Sequence, residues 1–438
     1  MVLMDDGTRG PQLMTFLPID DRRRRPEPVV ITGIGLIASV GNDRESVWRA
    51  VRHGQSGVRS LSGMSGVPAS LSIGAPVFLP PEFPGQLKPV ALNLRAADEA
   101  LADAEIDFSR TDPHRFGCAI SGHMGDTGWF DEQRRHLAPP EPRDVPWWHQ
   151  WFPNTACSTV ANRYRLAGPR LCHSTACASG LIEVLSAARS IRDGQCDLAL
   201  AGSAEAFHPL FAAGFQAMRV LAHHDDPRQA SRPFDSRRSG FVMGEGAAMF
   251  VLERLSHARR RGARIYAEIA GGKMQAEAHH VTGLDTESDT LAYLIDQTLR
   301  DARLSPNDLG YINAHGTGTQ QNDVVETRGI RRALGRAADR ICVSSTKSML
   351  GHLVNAAGSV ELAITALALR DGFAPPTVNL TDPDPECDLD CIPLVGRRTA
   401  IEHALKLSVA FGGHMAAIVL RRWPEAASGL GHVERRAA

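Results

Sequence analysis

The segment LCHSTACASG (171-180) sets Cys177 between two alanines, with Ser174, Thr175 and Ser179 around it, just ahead of a helical pattern. Two readings compete. The cysteine is a small apolar filler in a tight strand-to-helix joint, or it is a nucleophile aimed out of that joint. At a helix N-terminus, unpaired amides and the helix dipole stabilise a thiolate. The small neighbours Ala176, Ala178 and Gly180 leave room for a substrate, and the amide of Cys177 can point at an oxyanion. Two histidines stand at strand-to-loop junctions: His315 in NAHGTGT and His352 in STKSMLGHL, five residues after Lys347. The glycines keep the first loop open, and Thr317 and Thr319 add hydroxyls. A nucleophilic cysteine and two distant histidines can converge into one reactive constellation. The plainer reading has each histidine capping a backbone carbonyl. In VAFGGHM (409-415), Phe411 before two glycines reads as a movable gate or a tight hairpin.

These residues need a scaffold, and the pattern around them supplies one. VVITGIG reads as a buried strand, ESVWRAVRHG as a short amphipathic helix stopped at Gly54, and residues 92-104 as a helix. FGCAISG (116-122) is strand-like. LIEVLSAARSIRDG (181-194) places Leu181, Leu185, Ala188 and Ile191 on one helical stripe and stops at Asp193-Gly194. DLALAGSAEA follows as a strand. The rhythm resumes with RIYAEIAGG as strand, TLAYLIDQTLRDARL as helix, LGYINAHGTGTQ as strand and glycine-rich loop, and ICVSSTKSMLGH as strand and loop. SVELAITALALRDG is a helix with an Asp371-Gly372 stop, and SVAFGGHMAAIVLRR is strand, turn and strand. The alternation favours a parallel sheet covered by helices, in two halves of similar grammar. Residues 123-153, rich in Trp, Pro and charge, break the rhythm and read as a functional loop or an interface.

The chain has 438 residues, 43% hydrophobic and 22% charged, with a net charge of -1. That is globular composition, with no global charge excess for nucleic acid or a membrane surface. The run VVITGIGLIASV is far short of a membrane span, and the start of the chain has no apolar core of signal length. A soluble, cytoplasmic protein is expected, with residues 1-27 a disordered leader and 423-438 a frayed tail. The eight cysteines include no CxxC pair; Cys387 and Cys391 stand four apart with no partner pair, so free thiols in a reducing compartment are expected rather than a metal site. Gly33-Ile34-Gly35-Leu36-Ile37-Ala38 matches a dinucleotide fingerprint, but no acid-ended strand follows at the required distance. Tight glycine packing is the reading kept. The pairs His223-His224 and His279-His280 would point to opposite faces of a strand, and ARRRGAR (258-264) reads as a solvated loop.

Taken together, STACASG, NAHGTGT, STKSMLGHLVNAAGSVE and AFGGH occur in the order of the β-ketoacyl-acyl carrier protein synthases, and SRPFDSRRSGFVMGEGAAMFVLE (231-253) looks like a further segment of that family. The resemblance runs from about residue 28 to about 421. It is nearest the elongating Cys-His-His type of fatty acid synthesis and its type II polyketide relatives. His352 stands where the Cys-His-Asn initiating type carries asparagine. The resemblance implies an α/β thiolase-like fold, with duplicated βαβ halves in a layered αβαβα arrangement built on two mixed sheets. The halves would be 28-265, with the nucleophile and the insertion 123-153, and 266-422, with both histidines. It implies that Cys177 takes an acyl chain as a thioester and that His315 and His352 hold the malonyl carbonyl during decarboxylation. The amides of Cys177 and Phe411 would form an oxyanion site. Lys347 would set the field at the histidines, Glu361 would order the loop, and Thr317 and Thr319 would bind the 4'-phosphopantetheine arm of an acyl carrier protein. No metal or tightly bound cofactor is implied. The partners implied are the carrier protein and either a second copy, as a homodimer, or a chain-length factor, as a heterodimer.

The chain departs from the family pattern. Ala410 precedes Phe411 where the family reads glycine, Met415 stands where asparagine is common, and Glu277 stands where aspartate is frequent. Alanine lacks some of glycine's backbone freedom, so gate motion is put in question. Phe130, in the insertion, aligns with the residue that floors the acyl pocket across the dimer interface; a phenylalanine there favours short or unusually shaped chains. Arg134 and Arg135, or Arg259 to Arg261, would meet the acidic carrier. Two rivals are weighed. A non-catalytic chain-length subunit typically lacks the cysteine that is present here. A degradative thiolase would need a second catalytic cysteine near the C-terminal loop, and AFGGHMAA has none.

Overall fold

The computed structural model describes residues 27–64, 67, 71–79, 86–122 and 152–424. The leader up to residue 26, the insertion through residue 151 with Phe130, Arg134 and Arg135, and the tail beyond residue 424 lie outside the described residues.

The first half contributes strands β1 (Val29–Ala38), β2 (Arg59–Ser60), β3 (Ile73–Ala75), β4 (Phe116–Ile120), β5 (Arg170–Leu171), β6 (Leu198–Glu205), β7 (Met243–Gly244) and β8 (Gly246–Arg254). The second contributes β9 (Ala267–Ala276), β10 (Tyr311–Asn313), β11 (Cys342–Ser344), β12 (Phe373–Ala374), β13 (Arg397–Arg398), β14 (His403–Val409) and β15 (His414–Arg422). The main sheet has the order β11-β10-β14-β15-β9-β1-β8-β6-β4-β5. Within it, β1-β8-β6-β4-β5 and β9-β15-β14-β10-β11 repeat one pattern: two antiparallel neighbours, then two parallel ones. The duplication that residue identity hides is therefore plain in topology. The two expected sheets meet at a seam of only two residue pairs, Val30 with Glu268 and Ile31 with Ala267, so they form one ten-stranded ladder. The sheet is mixed rather than parallel because each half closes on an antiparallel strand.

Layering follows from which faces are apolar. The helices Ser179–Arg192 and Ala357–Asp371 are buried on almost every side and share one core with the inner sheet faces. A helix apolar all round belongs in a central layer. Helices Lys88–Asp103 and Thr155–Arg163 cover the outer face of the first half. Helices Thr290–Ala302 and Gln320–Leu334 cover that of the second. The central helices cross where glycine allows it: a Cβ on Gly180 would lie 2.8 Å from the Ser359 amide, and one on Gly358 2.8 Å from the Leu181 amide.

The dinucleotide-like glycines have the same explanation. Gly33 and Gly35 lie inside β1, not in a turn, and a Cβ on Gly35 would sit 1.9 Å from the Ala96 carbonyl of the overlying helix. The ARRRGAR stretch is not a solvated loop. It ends the helix Leu255–Arg260, and Arg261 reaches buried Glu253 and the Ala104 carbonyl. His279 and His280 lie in the loop after β9, where Nδ1 of His280 accepts the Thr282 and Gly283 amides at 3.1 and 3.0 Å.

Candidate active site

Each reactive side chain sits in a turn or loop between elements. Cys177 occupies the turn Ala176–Ala178, ahead of the helix Ser179–Arg192. Ala176 holds a left-handed φ of 46°. Ser179 braces it: its hydroxyl accepts the Thr175 amide at 2.9 Å and donates to the Ala176 carbonyl at 2.7 Å. Strain of this kind persists only where the surroundings over-determine it. His315 follows β10. Its amide and that of Gly316 are both held by the Glu326 carboxylate, at 2.6 and 2.7 Å, and Gly316 turns with φ 40°. His352 follows the short helix Lys347–Leu350, with its amide 2.6 Å from the Val242 carbonyl.

The fold brings the three together. The Cys177 sulfur and one ring nitrogen from each of His315 and His352 lie within 4.8 Å of one another, all buried. The imidazoles meet edge to face, with centroids 5.3 Å apart. They line a cavity of about 170 Å³ with Thr317, Thr319 and Phe411.

Electrostatics sets the protonation states. Burial pushes the Cys177 thiol up to about 12, against the Lys347 charge and the amides of Cys177 and Phe411. Desolvation at a fully enclosed sulfur outweighs the helix end and favours the thiol. Both amides named in the sequence reading do act on the sulfur. Burial also drives both histidines well below their ordinary 6.5, assisted by the Lys347 and Lys406 charges, so both are neutral. Their tautomers are set from behind. The Val354 amide donates to Nδ1 of His352 at 3.1 Å, and Lys347 Nζ faces Nδ1 of His315 at 3.4 Å. Each ring then carries its proton on Nε2.

Glu361 lies between two buried lysines, 2.6 Å from Lys347 Nζ and 2.7 Å from Lys406 Nζ. Lys347 also donates to the His315 carbonyl. Burial pulls Lys406 down to about 8, against the pull of Glu361. The cysteine and histidines have the donor set of a metal site, but the Lys347 and Lys406 charges that act on both rings oppose a cation there. A neutral N–H pair in a positive field is suited to a developing oxyanion.

The loop around Phe411 closes one wall. Gly412 and Gly413 have φ of 82° and 75°, and a Cβ on Gly413 would lie 2.3 Å from the Glu277 carbonyl. The Gly412 amide donates to Val281, and the Glu277 amide to Gly413, at 2.7 and 2.9 Å. Ala410 is extended (φ -139°, ψ 154°), a conformation any residue adopts, so its missing glycine freedom is not called on here. Met415 is fully buried in the outer core and does not line the cavity. Thr317 and Thr319 hydroxyls lie 2.9 Å apart, and Thr319 caps the helix Gln320–Leu334.

Sequence reasoning missed Glu326, Lys406, Glu205 and Asn355. Each is an isolated polar residue in an element whose burial only tertiary packing reveals. The one available signal was polar residues such as Asp323 and Glu326 opening an otherwise amphipathic helix.

A thiolase-like layered fold with a cysteine and two neutral histidines at its centre is that of a condensing enzyme. Two family models match: Beta-ketoacyl synthase, N-terminal domain, over residues 88–258, and Beta-ketoacyl synthase, C-terminal domain, over residues 266–381. The chain belongs to the beta-ketoacyl synthase family and is an acyltransferase-type condensing enzyme. It is 38% identical to 3-oxoacyl-[acyl-carrier-protein] synthase 2 of Coxiella burnetii, over 90% of this chain and 98% of that protein. It is 39% identical to the tetracenomycin polyketide synthase ketoacyl synthase alpha subunit of Streptomyces glaucescens, over 93% and 100%. Among solved structures, a type II polyketide synthase acyl-carrier protein in complex with its ketosynthase bound to the hexaketide superposes with TM-score 0.85. That match has 34% identity and covers 91% of this chain and 100% of the other. The ishigamide ketosynthase/chain length factor gives 0.83 at 30% identity, with the same coverage. No helix among the described residues is long and apolar enough to cross a membrane.

Proposed function

We propose that this chain condenses an acyl group on Cys177 with a malonyl group carried on an acyl carrier protein, giving a 3-oxoacyl-carrier product. The acyl thioester arrives on 4'-phosphopantetheine, and its carbonyl is attacked by the Cys177 sulfur. The thiol proton ends on the departing pantetheine sulfur, so one thiol replaces another and no free thiolate is required at rest. The malonyl thioester oxygen then sits against the Nε2–H of His315 and of His352. The bond to the carboxylate breaks, carbon dioxide leaves, and its electron pair remains as an enolate. The two neutral donors bind that charge more strongly than the ground-state carbonyl, which lowers the barrier. The enolate carbon attacks the acyl-cysteine. The tetrahedral oxygen faces the amides of Cys177 and Phe411, and collapse frees the sulfur, which takes a proton from solvent.

In this reading Lys347 and Glu361 fix the His315 loop, Thr317 and Thr319 hold the pantetheine arm, and Phe411 gates the acyl side. The chemistry uses no tightly bound cofactor, and the protein works in the cytoplasm. The observation that carries the reading is the meeting of the Cys177 sulfur and two imidazole nitrogens within 4.8 Å. Intact-mass analysis tests it. The wild type gains the acyl mass from an acyl-carrier thioester and Cys177→Ala does not; equal gain in both would overturn it. As for assembly, a homodimer is the first reading. The pairing named for the ishigamide structure favours a second, a heterodimer with a chain-length factor. Native mass separates them: twice the chain mass in an active sample supports the homodimer, and activity only after a second chain is added supports the heterodimer.

A further inference from the structure

The condensation scheme leaves one buried acid beside the nucleophile without a task. Glu205 ends β6 and is 3% exposed. Its two oxygens accept the Ala206 amide at 3.1 Å and the Asn355 amide at 3.3 Å. Asn355 in turn donates its side-chain N–H to the Gly122 carbonyl at 2.7 Å. Asn355 lies in the turn that sets His352: the preceding Val354 has a left-handed φ of 39°, and its amide is the one that donates to Nδ1 of His352. A β-branched residue does not hold such a φ unaided. Glu205 and the Gly122 carbonyl, both from the first half of the molecule, pin this turn through Asn355.

We infer that Glu205 is a positioning residue for His352, holding the turn that aims its Nε2–H at the malonyl oxygen. Burying an acid is unfavourable unless it is hydrogen-bonded, and the Ala206 and Asn355 amides supply the bonds. Here burial pushes the carboxyl up to about 8, with a further push from Glu245, so it is uncharged at neutral pH. That matters, because a charge on Glu205 would oppose the Cys177 thiolate that condensation releases. The groups facing Glu205 are Glu245, between β7 and β8 and itself paired with Lys88, and Cys177 in its turn.

The inference rests on the role proposed for His352, so the experiment separates the two. Full-length enzyme is assayed by mass for two half-reactions: acyl transfer from acyl-carrier thioester to Cys177, and decarboxylation of malonyl-carrier thioester. Glu205→Ala is expected to slow decarboxylation about tenfold, the scale of a small misplacement of a reacting group, and to leave acyl transfer within about twofold of wild type. Glu205→Gln, which keeps one acceptor oxygen for the Asn355 amide and gives up the bond from Ala206, should recover most of the lost rate. If Glu205→Ala does not fold, Glu205→Asp, which draws the carboxyl back by one methylene from the Asn355 amide, takes its place, and a loss confined to decarboxylation supports the inference. Equal loss in both half-reactions, or no loss in either, overturns it. His352→Ala is the control. If it decarboxylates normally, the role of His352 fails; if it is inactive while both Glu205 variants match wild type, only the inference fails.

Discussion

At the scale of single residues, catalysis is assigned to neutral groups in a positive, enclosed site. The imidazoles are held neutral because burial and two lysines oppose their protonation. A folded-state pKa well below the unfolded 6.5 means that the native protein binds fewer protons below pH 6.5. Stability contributed by these groups is thus lost as pH falls below 6.5, while the N–H donors stay in their working form through that point. Decarboxylation measured from pH 7.5 to 6 should show no inflection near 6.5; an inflection there would mean that a histidine titrates normally. Replacing His352 by alanine should lower decarboxylation about 10²-fold or more, the usual cost of one oxyanion donor, as read by product mass. The sequence was most legible at this scale. Cys177, His315, His352, Thr317 and Thr319 sit in short motifs whose neighbours are informative. Lys406 and Glu205 were silent, because a lysine in a strand or a glutamate at a strand end looks ordinary until the packing around it is known. The burial of the thiol was silent for the same reason: the helix end is visible in sequence, and the desolvation is not.

At the scale of elements, glycines decide where backbones touch. Gly358→Ala drives a Cβ to 2.8 Å from the Leu181 amide at the helix crossing. Overpacking of this kind should cost about 1–3 kcal/mol, read as a lower urea midpoint, with activity per folded molecule also reduced. Gly413→Ala acts differently. Its φ of 75° and a 2.3 Å approach to the Glu277 carbonyl force the gate loop off its partner. Strain of about 1–3 kcal/mol confined to the loop should lower kcat/KM for carrier substrates roughly tenfold, with the thermal midpoint nearly unchanged. A large drop in that midpoint would show that the loop is part of the core instead. Most elements were readable from periodicity and glycine stops, such as Ser179–Arg192 and Ala357–Asp371. The helix Gln320–Leu334 was not, because its buried face carries polar residues, Asn322, Asp323, Glu326 and Thr327, that break the apolar stripe.

At the scale of the whole molecule, two copies of one strand pattern join edge to edge and enclose two apolar helices. The nucleophile comes from the first half and both histidines from the second, so the site exists only when the halves close on one another. Duplication and layering could be anticipated from the repeated grammar, but the two-pair seam between β1 and β9 could not, since strand adjacency leaves no local trace. The measurement that tests the account most directly is intact-mass analysis of wild type and Cys177→Ala, first with acyl-carrier thioester and then with malonyl-carrier thioester. The account expects the wild type to gain the acyl group, then to lose it as a 3-oxoacyl-carrier product appears, while Cys177→Ala does neither. Acylation of the alanine variant, or wild-type product formed without a loaded intermediate, would contradict it.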